Sequence, residues 1–442
     1  MSSTMESNDE ESKTFRYVFD PMRKTSIKVL RETPSKHRPT LHILNLQEEK
    51  DKFLRFGKTP KFQFSRPIDT YPKKKKTDIR FEFLPEAKLI LERVRQHFGS
   101  GDNFLDAAFG KKLDRSEATE FMMNYIKSHG LDGQLNIIWA NDVHGSGRLL
   151  WQGPNVRFNR PEARKFTLIL KGNKENTFLR THGIQSLADH EIGTHFMRSA
   201  NDGLQPWFSN RQKFGLRSSR SLCGLVCEEG LAAINTLLQS QVKLLFMPAL
   251  LYYTACMSEQ MTFKELFDHL GTYIFDMDQR WKQVTRVKRI LPDCNHHGGS
   301  GQDQCYFEGA IQILRQADEI DFKLLYAGKI CVDELPRVRR IARQECIKLP
   351  LFLKDMAAYT HSLNEMAILN GLIQRVKRPL SCRLPSSRHR RRNVRGNSRC
   401  RGNVRALSSP MRARTLPLTP RPPLLSRRSN KPLLLRKEAF ID

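Results

Sequence analysis

The sequence predicts an α+β fold, predominantly helical with a small β-sheet and flanked by disordered basic termini. Two short runs rich in β-formers, LNIIWAND and KFTLILK, precede a long series of helical patterns. Both ends lack any core-forming periodicity. The 442 residues leave room for one large domain or two ordinary ones. Residues 1–77 are therefore expected to be a disordered basic region, 78–375 the folded domain, and 376–442 a disordered tail.

The N-terminus, MSSTMESNDEESK, is acidic and polar, so it is not a secretory signal. The region ends in Tyr71-Pro-Lys-Lys-Lys-Lys76, a pattern of solvated linkers. FEFLPEAKLILERVRQHF reads as an amphipathic helix with Leu84, Ala87, Leu91 and Val94 on one stripe. A second helix is expected near 116–125. Residues 135–142 and 165–171 read as strands. KFTLILK is either an edge strand along which an extended peptide pairs its backbone, or an ordinary buried strand. Helices follow around HEIGTH, around EEGLA, at 243–257 and at 263–287. The tail from Arg378 carries eighteen Lys and Arg against Glu438 and Asp442, with Pro/Leu/Ser/Arg repeats and no core pattern.

His190-Glu191-Ile192-Gly193-Thr194-His195 carries the chemistry. Two imidazoles give a metal neutral nitrogen ligands, and the carboxylate between them suits a general base. In the common HExxH motif the histidines are i and i+4, about 40° apart on an α-helix. Here they are i and i+5, roughly 140° apart. One metal takes both only if the helix carries a π-type bulge or unwinds, and Gly193 lowers the cost of either. A third protein ligand is needed. Cys227-Glu228-Glu229-Gly230-Leu231-Ala232 opens another helical run, and Glu229 is favoured because Glu-Gly-Leu-Ala resembles the glutamate-ligand segment of gluzincin aminopeptidases. Glu228 is the alternative; otherwise it supports a ligand or complements the helix dipole.

THGIQSLADHEIGTHFMR, LQPW, FGLR, EEGLA, ALLYYT, RVKR and DQCYFEG, in that order across residues 80–372, resemble the microtubule-associated tyrosine carboxypeptidase family. The resemblance implies a zincin-like metallopeptidase with one Zn²⁺, removing the C-terminal tyrosine of α-tubulin. It implies His190 and His195 as zinc ligands, Glu191 as catalytic base and the EEGLA glutamate as third ligand. Three places depart from the family pattern. Cys227 stands where the family tends to have Thr, and a cysteine there is itself a candidate ligand. The stretch Ser218 to Val226 is longer and more apolar. The loop Leu291 to Gly299 differs from the expected Pro-Gly turn. Its Cys294, His296 and His297, with Cys305, form a second metal site or, more simply, part of a flexible surface loop.

A carboxypeptidase also needs a cation for the substrate carboxylate; Arg198, Arg211, Arg217 and Lys213 are candidates. Arg180, His182 and Tyr306 are candidates for stabilising an oxyanion. Phe196, Trp207 and Phe208 form either a tyrosine pocket or core.

Nine scattered cysteines without disulfide spacing suit a reducing compartment, hence cytoplasm and cytoskeleton. No apolar run approaches the roughly 18 residues of a membrane span, so no membrane partner is expected. The formal charge of +29 suits an acidic partner, with the α-tubulin tail and microtubules first. Nucleic acid is supported by charge only, without an RRM, zinc-finger or helix-turn-helix signature. The alternative functions are a zinc peptidase of different substrate, or a catalytically weak microtubule- or nucleic-acid-binding protein.

Overall fold

The computed structural model describes residues 43–65, 77–141, 145–152, 164–173 and 175–374. The chain divides into Met1–Lys377 and Arg378–Asp442, and every described residue belongs to the first unit. The lysine run at 73–76 and the C-terminal tail, both expected to be unstructured, lie outside the described residues.

Part of the N-terminal region expected to be disordered is folded. Helix α1 (Leu46–Phe56) reads as polar, LQEEKDKFLRF, and Phe53 is its one buried apolar residue, beside the buried Glu49 and Lys50. The ring of Phe53 meets those of Phe263, Phe267 and Trp281 at 4.9–5.5 Å. Edge-to-face aromatic pairs contribute about 0.5–1.5 kcal/mol each beyond the area they bury.

Helix α2 (Leu84–Phe98) buries Ala87, Ile90, Leu91 and Val94, nearly the expected stripe; Leu84 at its start is half-buried. Helices α3 (Gly101–Phe109) and α4 (Arg115–Ser128) follow. A capping box between Asp114 and Glu117 starts α4.

Three strands form one sheet: β1 (Leu135–Ala140), β2 (Gly147–Gln152) and β3 (Lys165–Lys171), in the order β1-β3-β2. β3 runs parallel to β1 and antiparallel to β2. KFTLILK is thus the central strand rather than an edge. Its Phe166, Leu168 and Leu170 are buried, and its backbone is already paired on both sides.

The HEIGTH segment is one continuous helical rod of three kinds of turn. α5 (Gly183–His190) leads into a π-turn (Glu191–Phe196), which continues as α6 (Met197–Asp202). Phe166 of β3 packs edge-on against Phe196, centroids 4.9 Å apart, seating the π-turn on the sheet.

Helix α7 (Leu222–Asn235) begins five residues before Cys227, capped by Ser221. Glu228 and Glu229 are therefore mid-helix, and a helix-dipole role for them falls away. α8 (Phe246–Ser258) is nearly all buried. The single helix expected at 263–287 is two: α9 (Phe263–His269) and α10 (Met277–Lys288). Asp276 caps the second, accepting from the Gln279 amide at 2.9 Å. Helices α11 (Cys305–Arg315), α12 (Phe322–Leu325), α13 (Leu335–Val338) and α14 (Met356–Leu369) complete the body. Among the described residues no helix is long and apolar enough to cross a membrane.

The α7–α11 crossing fixes the height of the paired glutamates. A Cβ on Gly230 would lie 2.3 Å from the Gly309 backbone, and one on Gly309 would lie 1.8 Å from the Val226 carbonyl. The glycine of EEGLA and that of CYFEG are there because the two backbones touch. Gly309→Ala is expected to destabilise by about 1–3 kcal/mol, the usual range for overpacking. Chemical denaturation checks this; an unchanged midpoint would contradict the close crossing.

Candidate metal centre and adjoining cavity

An i→i+5 turn brings residues five apart onto one face. His190 and His195, misaligned on an α-helix, are accordingly neighbours here: ring centroids 4.9 Å apart, planes at 83°. Local chemistry favours the widened turn. The Thr194 hydroxyl donates back to the Asp189 carbonyl at 2.8 Å, and Asn235 donates to that hydroxyl at 2.9 Å. Gly193 matters for space. A Cβ there would come within 2.6 Å of the Phe352 ring and 2.9 Å of the Tyr125 hydroxyl.

Nitrogen atoms of both histidines and a carboxylate oxygen of Glu229 lie within 4.8 Å of one another, all three residues half-buried. His195 Nε2 is 3.5 Å from Glu229 Oε2. The opposite ring nitrogens are committed elsewhere. Thr236 Oγ1 already donates to the Ala232 carbonyl, so it accepts from His190 Nδ1 at 2.9 Å. His195 Nδ1 donates to Glu228 Oε1 at 2.7 Å. Both bonds select the tautomer that leaves Nε2 free, the arrangement of histidine metal ligands with an outer partner.

Glu228 lies outside this group. Besides His195, it accepts from Lys329 Nζ at 2.6 Å and pairs with the buried Arg198 guanidinium. Arg198 in turn donates to the carbonyls of Gly328 and Ile330. Those partners satisfy Glu228 and hold its carboxyl well below the usual range despite burial. Of the two candidate glutamates, Glu229 is the one placed with the histidines. Cys227 is buried and turned toward the Ile330 carbonyl, outside the cluster.

The electrostatics of this group are compatible with a bound cation. Burial, then His195, pushes His190 down to about 4. Burial also opposes a charge on His195, but Glu229 and Glu228 outweigh it and lift that ring to about 10. A proton on His195 thus sits where a divalent cation would neutralise the same carboxylates. Two imidazoles and one carboxylate, open on one side, suit Zn²⁺ in a catalytic type of site. Burial pushes Glu191 up to about 7. A Cβ on Gly147 would be 2.5 Å from Glu191 Oε1, so the glycine opening β2 makes room for that carboxylate.

His190, Glu191 and Tyr306 line a cavity of about 400 Å³. Its apolar wall includes Phe104, Phe109, Leu237 and Trp281. Its polar wall carries cations: Lys50, Lys171, Lys282, Arg286 and Arg289. Most have acidic partners, such as Lys171 with Glu175 at 2.7 Å and Arg286 with Asp303 at 2.9 Å. Lys282 donates to the Glu175 carbonyl at 3.1 Å, and among the described residues no carboxylate lies within ion-pair distance of it. Burial, then Arg286 and Lys171, pushes its ammonium down to about 7.

Several expected residues are elsewhere. Arg198 is wholly buried under Glu228, Arg211 pairs with Asp202, Arg217 pairs with Asp333, and Lys213 is on the surface. None lines the cavity, so they do not serve as its anion-binding cations. Arg180 is tied to Asp106 and the Gly110 carbonyl, and His182 is exposed; Tyr306 alone of that trio faces the cavity. Phe196 and Trp207 are core, and Phe208 lies under the Arg164 guanidinium. Cys294 is buried while His296 and His297 are not, and no metal cluster forms there among the described residues. That loop is clamped instead by Lys288, fully buried, donating to the carbonyls of Ser258, Met261 and His296. Sequence reasoning missed Thr236, Gly147 and the cavity cations; RVKR, which carried part of the resemblance, holds Arg286 and Arg289 but not Lys282.

A family profile described as "Microtubule-associated tyrosine carboxypeptidase" matches residues 172–372. The human protein "Microtubule-associated tyrosine carboxypeptidase 1" is 29% identical over 342 residues, covering 76% of this chain and 67% of its own. The rat protein of that name is 29% identical over 342 residues, covering 76% and 68%. Human MATCAP2 is 32% identical over 321 residues, covering 69% and 60%. The matched stretch runs through the π-turn, the paired glutamates and the α10 cations, and over it the chain is similar to the microtubule-associated tyrosine carboxypeptidase family.

Proposed function

We propose that this chain is a zinc-dependent metallocarboxypeptidase that removes the C-terminal tyrosine of α-tubulin, acting at microtubules in the cytoplasm. One observation carries the reading: His190, His195 and Glu229 converge, and His190 and Glu191 line a cavity that also holds cations. The names of the relatives support the substrate class. The arrangement is read as zincin-like: a small sheet over a rod bearing two histidines and a base, then a helix bearing a glutamate. Residues 78–375 are read as the catalytic domain, with α1 packed onto it.

His190 Nε2, His195 Nε2 and Glu229 would hold the metal. When bound, zinc supplies a Lewis acid for the scissile carbonyl and makes water a better nucleophile at neutral pH. Glu191 takes the proton of the attacking water on its carboxylate and returns it to the departing amide nitrogen. Burial raises its proton affinity, the direction that a group taking and returning a proton needs. The Tyr306 phenol, held protonated by Glu229 and by burial, donates to the developing oxyanion. Lys282, which among the described residues has no carboxylate within ion-pair distance, receives the terminal carboxylate. The apolar wall takes the tyrosine ring. Among the described residues no strand pairs the outer edge of β2, beside Glu191, so an extended substrate backbone can add there.

Wild type is expected to remove the terminal tyrosine from microtubules, and Glu191→Gln to lose about 10²–10⁴-fold in rate, the usual worth of a general base. Zinc-loaded wild-type protein that leaves tubulin intact would overturn the assignment. Lys282→Met should cut kcat/KM for free-acid peptides about 10–100-fold, since hydrogen bonds to charged groups contribute about 1.5–3 kcal/mol. Its preference for free acid over C-terminal amide should narrow while zinc content stays constant. An unchanged preference would exclude Lys282 from carboxylate binding.

A further inference from the structure

The stretch before the paired glutamates holds two cysteines, Cys223 and Cys227, that the proposed reaction does not use. Cys223 is exposed on the first turn of α7, and Cys227, four residues on, is buried. Cys331, also buried, comes up beside them from the segment after Lys329. The sulfurs of Cys223 and Cys331 and a carboxylate oxygen of Asp333 all lie within 4.8 Å of one another. Asp333 is already engaged, both its oxygens accepting from the Arg217 guanidinium. A committed carboxylate and a guanidinium at the rim disfavour a cation. Two thiols within reach remain, one open to solvent and one behind it.

We propose that Cys223 and Cys331 are a redox-sensitive dithiol that a peroxide closes to a disulfide. The Cys223 sulfur attacks a peroxide oxygen; with hydrogen peroxide the O–O bond breaks, one water leaves, and Cys223 becomes a sulfenic acid. The Cys331 sulfur then attacks the Cys223 sulfur, the S–O bond breaks, and a second water leaves. Two thiols lose two electrons and two protons, and the peroxide gains them. The sulfurs must close to about 2.05 Å, a movement that side-chain rotation and a small backbone shift supply.

The bond fastens a particular strap. Residues 328–331 carry the Gly328 and Ile330 carbonyls that hold Arg198, and Lys329, whose ammonium reaches Glu228. Glu228 orients His195. A Cys223–Cys331 bridge ties this strap to the first turn of the helix that carries Glu228 and Glu229. Oxidation therefore acts on the support of the candidate centre without touching its ligands.

Full-length protein is treated with hydrogen peroxide, alkylated and mapped by mass spectrometry. The expected result is one cross-linked peptide pair joining Cys223 to Cys331, reversed by dithiothreitol and absent in Cys223→Ser. That variant changes an exposed residue, so its folding is not at issue. In the oxidised wild type, amide exchange should slow at 328–331; unchanged exchange would overturn the fastening. The dithiol itself is overturned if both residues stay alkylatable, if Cys223 pairs with Cys227, or if Cys223 goes on to sulfinic acid uncoupled. A second zinc per chain that Cys223→Ser abolishes would overturn it in favour of a metal site.

Discussion

One wide turn of helix decides whether His190 and His195 are a pair. On an α-helix they would face apart; across the Glu191–Phe196 π-turn they face together. The surroundings hold that turn in place. Thr194 bonds back along the rod, Asn235 secures the Thr194 hydroxyl, and Gly193 leaves room for Phe352 and Tyr125 to pack where a side chain would stand. Asn235 is itself held by Tyr359 at 2.8 Å. The distortion is thus specified from α7 and α14 as much as from its own sequence.

Charge is arranged in two tiers around this turn. The inner tier, His190, His195 and Glu229, is half-buried and carries an excess of negative charge that a cation or a proton must balance. The outer tier is Glu228 with Arg198 and Lys329, largely buried and satisfied. Removing one partner of a buried pair of this kind typically costs about 3–5 kcal/mol. Arg198, an apparent substrate anchor by residue type, serves instead to keep Glu228 ionised and aimed at His195.

The sequence carried the rod and its chemistry in legible form. The i, i+5 spacing called for a π-type bulge or local unwinding, and Glu-Gly-Leu-Ala favoured Glu229 while leaving Glu228 as the alternative. What stayed hidden depends on approach between distant segments. α1 looks polar because one buried phenylalanine and an ion pair from Lys50 to Asp278 anchor it. β2 escaped notice because GRLLWQ is short and half-exposed, and without it β3 could pass for an edge. The cavity cations come from distant segments: Lys50 on α1, Lys171 on β3, and Lys282, Arg286 and Arg289 on or just after α10, some ninety residues after the motif; no local pattern says which way they face. Gly147 is invisible in sequence because its role is to be absent beside Glu191.

The central claim is that the π-turn and α7 together form one nitrogen- and oxygen-ligated zinc site. X-ray absorption at the zinc edge of the purified full-length protein tests it most directly. The account predicts one zinc per chain, with imidazole scattering from two rings and nitrogen or oxygen neighbours at about 2.0–2.2 Å. A sulfur shell at about 2.3 Å would bring Cys227 or another thiol into the site and contradict the assignment. Scattering from a single imidazole would contradict the pairing of His190 with His195.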